Sequence, residues 1–400
     1  MNRRQVMTLA AAGGGMAIMT PEPARAEEPK LVEGRRSVDT STPQRKWTAS
    51  SLVGLSHLIF PSFKPDFKTL DEEGIRNDVR NGIAQGFSGV LPMINWTVPD
   101  DPRWEQYHRI VADEAKGRQS LHGIVASNAE NDIALITRLE KLGAELILMA
   151  SLHPNDISAK DLGDQMERRI RSTELPVMLY AALSSGRQFK HLGPSGQPLD
   201  VFDRLADLPN VTAMKISHPI SLTSTLQLCD RLGDRLFMGP VNLDFVPLLA
   251  RHYHIQWSGQ WNAEGVQTAE DQVGNALLAA CASGDYRKAD AVSMRMQPLV
   301  EQFYQVQAGA IASGVHPYQH NRYYAWLTGG NGGLVPAPAG AGHASVPTLT
   351  AKDRAAMRAA FAAAGLRTTE APEEQFVVGR AAWERGVRPS DLPATPFYEA

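Results

Sequence analysis

The chain has 400 residues, a hydrophobic content of 43% and a formal net charge of −3. This length and composition allow a large buried core, either in one α/β domain or in two smaller domains. The near-neutral charge and the lack of any run of lysine and arginine argue against a nucleic-acid surface and favour a small-molecule site.

The first 26 residues have the pattern of a secretory signal peptide. An Arg-Arg pair at 3–4 precedes a mildly apolar stretch, and Ala-Arg-Ala at 24–26 fits a signal-peptidase site. The arginine pair resembles a twin-arginine signal, and the apolar run at 6–19 is too short to span a membrane. We therefore expect a periplasmic mature protein that begins near Glu27 and does not associate with the membrane after the signal is removed.

Residues 27–50 are polar and lack periodicity, so the sequence predicts an extended leader there. After this leader, apolar runs typical of buried strands alternate with stretches of helical periodicity, several of which end in glycine. The predicted strands occupy residues 51–60, 88–95, 120–127, 144–151, 176–182, 211–217, 235–240 and 254–260.

Eight alternating strands and helices are typical of a (β/α)8 TIM barrel, which we predict for residues 51–283. The alternative is a doubly wound open sheet, but the glycine-rich phosphate loop expected after an early strand of that fold is missing. Residues 284–400 are predicted to form C-terminal helices and a tail, with a long helix first, a Gly-, Pro- and Ala-rich loop at 329–347 and a further helix within 349–366.

The two cysteines, Cys229 and Cys281, lie far apart along the chain in stretches of helical periodicity. Two cysteines are too few to form a disulfide framework, and they match no metal-binding motif. We therefore expect no disulfide bond.

Two polar residues lie near the predicted C-terminal ends of neighbouring strands. Lys215 interrupts the apolar run VTAMKIS, and Tyr180 ends LPVMLY. A lysine in low-dielectric surroundings favours its free amine, which can form a Schiff base with a carbonyl, and a phenol beside it can carry protons. Position alone also allows Lys215 to extend into solvent and Tyr180 to be a core aromatic with its hydroxyl at the rim.

With these residues, the chain resembles the dihydrodipicolinate synthase and N-acetylneuraminate lyase family of class I aldolases from about Val53 to Leu366. The resemblance rests on LDEEGIRNDVRNGIAQGFSGVL, on the spacing of LPVMLY to NVTAMKIS, on GDYRKA and on LTAKDRAAMRAAFAAAGL. It implies that Lys215 forms a Schiff base with a 2-oxo acid and that Tyr180 relays protons. It also implies a homo-oligomer that needs no metal or other cofactor.

The chain departs from the family pattern around the expected substrate pocket. The family's Gly-Thr-Thr-Gly-Glu loop after the second strand is INWTVPDD here, with Thr97 as the only nearby hydroxyl. A family tyrosine after the fourth strand is replaced by Leu152 or His153, and Arg187 is a displaced counterpart of a carboxylate-binding arginine. We therefore expect a rebuilt pocket and an activity other than dihydrodipicolinate synthase, since export also argues against a step in lysine biosynthesis.

We expect the rebuilt pocket to use polar residues near the strand ends. Those assigned to substrate binding are Thr97, Asn95, Arg187, Ser258 and His153. Further polar residues near strand ends are His57, Trp96, Asn128, Ser217, His218 and Asn262. Three tryptophans are also predicted near the rim, namely Trp96, Trp257 and Trp261. They can stack on a sugar or an aromatic ring of a substrate, or they can pack under the C-terminal helices.

Three histidines at predicted rim positions raise the alternative of a metal-dependent barrel. The one His-x-His pair, at 252–254, opens the eighth strand at the wrong end of a barrel for catalysis. The only acidic residues near the rim, Asp100 and Asp101, lie out in the second loop. We therefore expect no catalytic metal.

The leading hypothesis is an exported Schiff-base lyase or aldolase, or a hydratase that uses the same imine. The second is a barrel that has kept the fold and lost the chemistry, and that binds a small carbohydrate or acid in the periplasm. The missing loop motif favours the second hypothesis, whereas the retained Lys215 and Tyr180 favour the first.

Overall fold

The computed structural model describes most of the chain after residue 33. The described residues are 34–93, 96–126, 129–150, 157–181, 197–217, 220–260, 262–312, 316–338 and 346–400, with the backbone alone for 307–312. The signal peptide predicted at residues 1–26 lies outside them and stays a prediction.

Eight parallel strands in the described residues form one sheet. They are β1 (Gly54–Ile59), β2 (Gly89–Pro92), β3 (Ser120–Val125), β4 (Leu146–Ala150), β5 (Val177–Ala181), β6 (Val211–Ile216), β7 (Phe237–Pro240) and β8 (Trp257–Gly259). Their order is β7-β6-β5-β4-β3-β2-β1-β8, and β7 also contacts β8, so the sheet curls into a nearly closed barrel. The predicted (β/α)8 barrel is confirmed, and each predicted strand run contains one of these strands.

Helices lie between the strands and continue after the barrel. They are α1 (Pro43–Ser51), α2 (Glu72–Ala84), α3 (Pro102–Ala115), α4 (Ala129–Lys141), α5 (Ala159–Ile170), α6 (Leu199–Leu205), α7 (Leu222–Leu232), α8 (Val246–Leu249), α9 (Val273–Ser283), α10 (Tyr286–Ala312), α11 (Tyr318–Leu327), α12 (Ala351–Ala363), α13 (Glu373–Val378) and α14 (Arg380–Glu384). Serine side chains cap α5 and α7, because the hydroxyls of Ser158 and Ser221 accept otherwise unpaired N–H groups of the first turn.

The strands are almost wholly buried, as expected for a parallel sheet with side chains inside and helices outside. Successive strand residues face opposite sides of the sheet, so one set fills the barrel and the other packs under the helices. Catalytic side chains therefore have to occupy the inward positions near the C-terminal ends of the strands, which we call the rim.

The prediction of an extended leader is wrong for residues 43–50, which belong to α1. Pro43 is in the first turn, and the hydroxyl of Thr42 accepts the N–H of Arg45. Thr48 is buried, and its hydroxyl donates to the hydroxyl of Thr212 at the start of β6 over 2.7 Å. The helix therefore covers the end of the barrel opposite the rim, and this tertiary contact stabilises a segment whose own periodicity is weak.

The C-terminal helices pack against α2, α8 and α9 and against the 3-10 turn at Ala263–Gly265, which follows β8. The guanidinium of Arg322 on α11 donates to Ser62 Oγ over 3.0 Å and to the Gly333 carbonyl over 2.6 Å. Residues 373–391, which lie within the predicted C-terminal helices and tail, form α13, α14 and a 3-10 turn.

Cys229 and Cys281 are buried and free. None of the helices in the described part of the chain combines the length and the apolar character that a membrane span requires.

Candidate active site

Lys215 lies inside the barrel at the C-terminal end of β6. It pairs in register with Tyr180 on β5 and with Gly239 on β7, and it is 5% exposed. Burial disfavours the ammonium form and lowers the pKa of Lys215 to about 7, although the nearby carboxylate of Glu264 acts in the opposite direction. A substantial fraction of Lys215 is therefore the free amine at neutral pH.

Tyr180 lies beside this amine. The Nζ atom of Lys215 is 5.1 Å from the centroid of the Tyr180 ring, and the Tyr180 hydroxyl is 3.1 Å from Ser217 Oγ. Burial raises the pKa of Tyr180, while the hydrogen bond to Ser217 lowers it. Tyr180 is therefore protonated at neutral pH and has a hydroxyl partner through which a proton can pass.

A chain of three polar side chains continues from Lys215 across the barrel. Lys215 Nζ donates to Gln260 Oε1 over 3.4 Å, Gln260 Nε2 is 2.6 Å from His122 Nδ1, and His122 Nε2 is 2.8 Å from Ser120 Oγ. All three side chains are at least nine-tenths buried. We did not predict them, although His122 interrupts the apolar run SLHGIV as Lys215 interrupts its own strand.

Glu264 is a second buried titratable group near Lys215. Its carboxyl oxygen Oε1 accepts the N–H of Leu58 over 3.1 Å and lies 3.7 Å from His57 Nδ1. Burial is the main cause that raises the pKa of Glu264 to about 8. A cavity of about 10 Å³ next to it is also lined by Asp78 and Arg322, outside the barrel.

The loop after β2 is anchored to the C-terminal helical block. Trp96 Nε1 donates to the Pro336 carbonyl over 2.8 Å, and its ring packs against Phe60 and Tyr318. The adjacent Thr97 is fully buried, and its hydroxyl has no hydrogen-bond partner among the described residues. Buried hydroxyls are rarely left unpaired, so the described residues do not account for the hydrogen bond expected of Thr97.

Two predicted site residues face away from the barrel interior. Ser258 alternates with the inward-facing Trp257 on β8, and its hydroxyl donates to the Pro240 carbonyl over 2.7 Å. This placement contradicts the substrate-binding role predicted for Ser258. His57 faces α2, where a Cβ added to Gly82 would lie 2.2 Å from its Cε1 atom, so it does not line the barrel interior either.

The other predicted substrate-binding residues, Asn95, His153 and Arg187, lie outside the described residues. The same holds for Asn128, His218 and Trp261. Among the residues that the structure describes, no group of three or more His, Cys, Asp or Glu side chains is arranged to hold a metal ion.

A (β/α)8 barrel with a buried lysine beside a tyrosine at the rim has groups that are capable of Schiff-base chemistry. No family model matches the chain. Among curated proteins, 4-hydroxy-tetrahydrodipicolinate synthase of Methanothrix thermoacetophila is 24% identical over 184 residues, covering 45% of this chain and 60% of that protein. The enzyme of the same name from Rhodopseudomonas palustris is 24% identical over 244 residues, covering 58% of this chain and 75% of that protein.

Solved structures show the same fold. Dihydrodipicolinate synthase of Aquifex aeolicus matches with a TM-score of 0.59 at 15% identity, over 80% of this chain and 100% of that chain. The chloride-inhibited enzyme of Acinetobacter baumannii, complexed with pyruvate, also gives a TM-score of 0.59 at 15% identity, over 79% of this chain and 100% of that chain. These comparisons support the predicted resemblance: the chain is similar in sequence to 4-hydroxy-tetrahydrodipicolinate synthases and shares the fold of dihydrodipicolinate synthases.

Proposed function

We propose that this protein is a Schiff-base-forming lyase or aldolase, or a hydratase that uses the same imine, and that its substrate is a 2-oxo acid or a related carbonyl compound. Lys215 is the nucleophile and Tyr180 is the proton relay. The observation that carries the proposal is the buried Lys215 amine at the rim, with its pKa lowered to about 7.

The first chemical step is addition of the free Lys215 amine to the substrate carbonyl carbon. The resulting carbinolamine takes up a proton and loses water, which gives a protonated imine that attracts electrons from the neighbouring carbon atoms. Burial supports this step, because a lysine with its usual pKa of 10.5 would be almost entirely ammonium at neutral pH.

In the cleavage direction, the substrate hydroxyl loses its proton as the adjacent C–C bond breaks, and an aldehyde leaves. The bonding electron pair moves towards the imine nitrogen and leaves an enamine, whose carbon then takes up a proton. One proton is lost and one is gained, so a single phenol that exchanges a proton with both atoms closes the cycle. We assign this transfer to Tyr180, and hydrolysis of the imine then releases the product.

Thr97 is the described residue with the clearest capacity to bind a polar group of the substrate. Its buried hydroxyl has no partner within the described ranges, although it lies in a loop that has lost the glycines of the family motif. Asn95, His153 and Arg187 remain proposed substrate-binding residues. Dihydrodipicolinate synthase of Acinetobacter baumannii complexed with pyruvate supports a 2-oxo acid as the substrate class.

We also propose that the mature protein is periplasmic and forms a homo-oligomer. Residues 1–26 support twin-arginine export, and the family resemblance supports oligomerisation. Cell fractionation with and without a functional twin-arginine pathway tests the first proposal, and light scattering of the mature protein tests the second.

Borohydride trapping tests the catalytic proposal directly. The protein is incubated with pyruvate and with a panel of larger 2-oxo acids, reduced with sodium borohydride and analysed by intact mass and peptide mapping. We expect an adduct on Lys215 that disappears in Lys215→Met and persists in Lys141→Met, in which an exposed lysine is replaced. If calorimetry detects ligand binding but no reduced adduct forms, the non-catalytic binding barrel is the correct function.

A further inference from the structure

The hydrogen-bond chain behind Lys215 determines which way the Gln260 amide faces. A glutamine amide has a donor end and an acceptor end, and these have opposite effects on a neighbouring amine. If the oxygen faces Lys215, it accepts an N–H of the amine and leaves the nitrogen lone pair free. If the NH2 group faces a neutral Lys215, it donates to that lone pair and competes with attack on a carbonyl.

The distances support the orientation in which the oxygen of the Gln260 amide faces Lys215. Gln260 Oε1 is 3.4 Å from Lys215 Nζ, and Gln260 Nε2 is 2.6 Å from His122 Nδ1. The amide nitrogen only donates, so His122 Nδ1 is the acceptor and the proton of the imidazole lies on Nε2. His122 Nε2 then donates to Ser120 Oγ over 2.8 Å, and Ser120 Oγ donates to the Ser88 carbonyl over 3.1 Å.

The neutral imidazole is essential to this arrangement, because a protonated His122 has no acceptor for the Gln260 amide. Burial, with smaller contributions from the charges of Lys215 and His57, lowers the pKa of His122 to about 3. His122 is also fully buried, and a Cβ added to Gly89 would lie 2.4 Å from its Nε2 atom, so the ring has little room to turn.

We propose that Gln260 and His122 are positioning residues for Lys215, which orient its amine so that the lone pair stays available for imine formation. This inference rests on the proposed Schiff-base function. Neither residue touches the reacting carbon: Gln260 acts on the amine, and His122 acts through Gln260.

Substitution of Gln260 by methionine tests the positioning role of Gln260. Gln260→Met keeps the approximate side-chain length and removes both polar ends, and we expect borohydride-trapped imine to form about tenfold more slowly with pyruvate. The pH profile of trapping should also shift, because the amine loses its hydrogen-bond partner among the described residues. Gln267→Met is the matched control, since Gln267 is also fully buried but donates to the Gln85 carbonyl, so it should lower stability without shifting this profile.

Two substitutions of His122 test its positioning role by their different effects on the rate of imine trapping. In His122→Asn, the amide oxygen can take the place of Nδ1 as acceptor, so we expect trapping within about threefold of wild type, whereas His122→Leu should resemble Gln260→Met. Nitrogen NMR of the wild-type protein should show the neutral His122 ring with its proton on Nε2, a measurement that needs no folded variant.

Three outcomes separate the two proposals. A proton on Nδ1 of His122, or an unchanged trapping rate and pH profile in folded Gln260→Met, overturns the positioning role while Lys215 keeps its own. Failure of the wild-type protein to form any Lys215 adduct with the 2-oxo acid panel overturns the proposed function itself. Slower trapping in Gln260→Met and His122→Leu, with recovery in His122→Asn, supports both.

Discussion

Replacement of Lys215 by methionine tests whether its amine is as strongly desolvated as the structure indicates. The pKa of this amine falls from 10.5 to about 7 because of burial. Each pKa unit corresponds to about 1.4 kcal/mol, so the ammonium form is disfavoured in the folded protein by at most about 5 kcal/mol. Methionine has a similar length and carries no charge, so it removes this penalty.

The pH dependence of this penalty follows from the pKa of Lys215 in the folded chain, about 7, and in the unfolded chain, 10.5. Below pH 7 the folded and unfolded chains both carry the Lys215 proton, and the full penalty acts on the folded state. Between pH 7 and 10.5 only the unfolded chain is protonated, so the penalty falls by about 1.4 kcal/mol per pH unit and vanishes above pH 10.5. We therefore expect the stability advantage of Lys215→Met to be largest near neutral pH and to shrink as the pH rises.

Urea denaturation at several values between about pH 6.5 and 9.5 measures this difference in the free energy of unfolding. Lost packing contributes a constant offset, so the slope with pH is the diagnostic quantity. Lys141→Met, at an exposed position, should show almost no slope. The same comparison in a Glu264→Gln background removes the titration of the neighbouring carboxyl group. A difference between Lys215→Met and wild type that does not vary with pH would refute the desolvation of the amine.

Three further predictions concern other buried groups. Tyr180→Phe should still form the borohydride-trapped adduct but lose about a hundredfold or more in steady-state turnover, and unchanged turnover would exclude the relay. Because burial raises the pKa of Glu264 to about 8, its stabilising protonation is lost as the pH rises from 4.5 to 8. Glu264→Gln should therefore match wild type in thermal melts near pH 4.5 and exceed it above pH 8, and the opposite trend would contradict a protonated Glu264. Asp132 pairs with Arg169 over 2.7 Å with both side chains fully buried, so Asp132→Ala should destabilise by about 3 to 5 kcal/mol in urea denaturation, whereas a loss below about 1 kcal/mol would show a solvated pair.

Local pattern was sufficient to predict the strands of the barrel. Each strand is buried on both faces, which requires a short apolar run, and glycines at helix ends separate these runs from the helices. The same pattern made Lys215 conspicuous, because burial of a charged residue in such a strand is costly unless the charge is paired or neutralised. His122 also interrupts an apolar strand run, but a neutral imidazole is less unusual in a buried strand than a lysine.

Two predictions were wrong because they depended on tertiary contacts. α1 forms at residues 43–51 through packing against β6 and hydrogen bonds from Gln256, which a polar segment without periodicity does not reveal. Ser258 was placed at the rim from its position in the strand, but a shift of one residue moves a side chain to the opposite face. The alternation with Trp257 that decides its direction becomes clear only when the barrel closes.

By itself, the sequence determined the barrel and the strands that carry Lys215 and Tyr180, because these depend on hydrophobic periodicity and on the order of elements along the chain. Only the tertiary structure decided the surroundings of the Lys215 amine. Gln260, His122 and Glu264 come from segments up to 142 residues apart in the chain, and their contacts exist only in the closed barrel. Desolvation and the direction of a hydrogen bond depend on these contacts in space, and so does the proposed reactivity of Lys215.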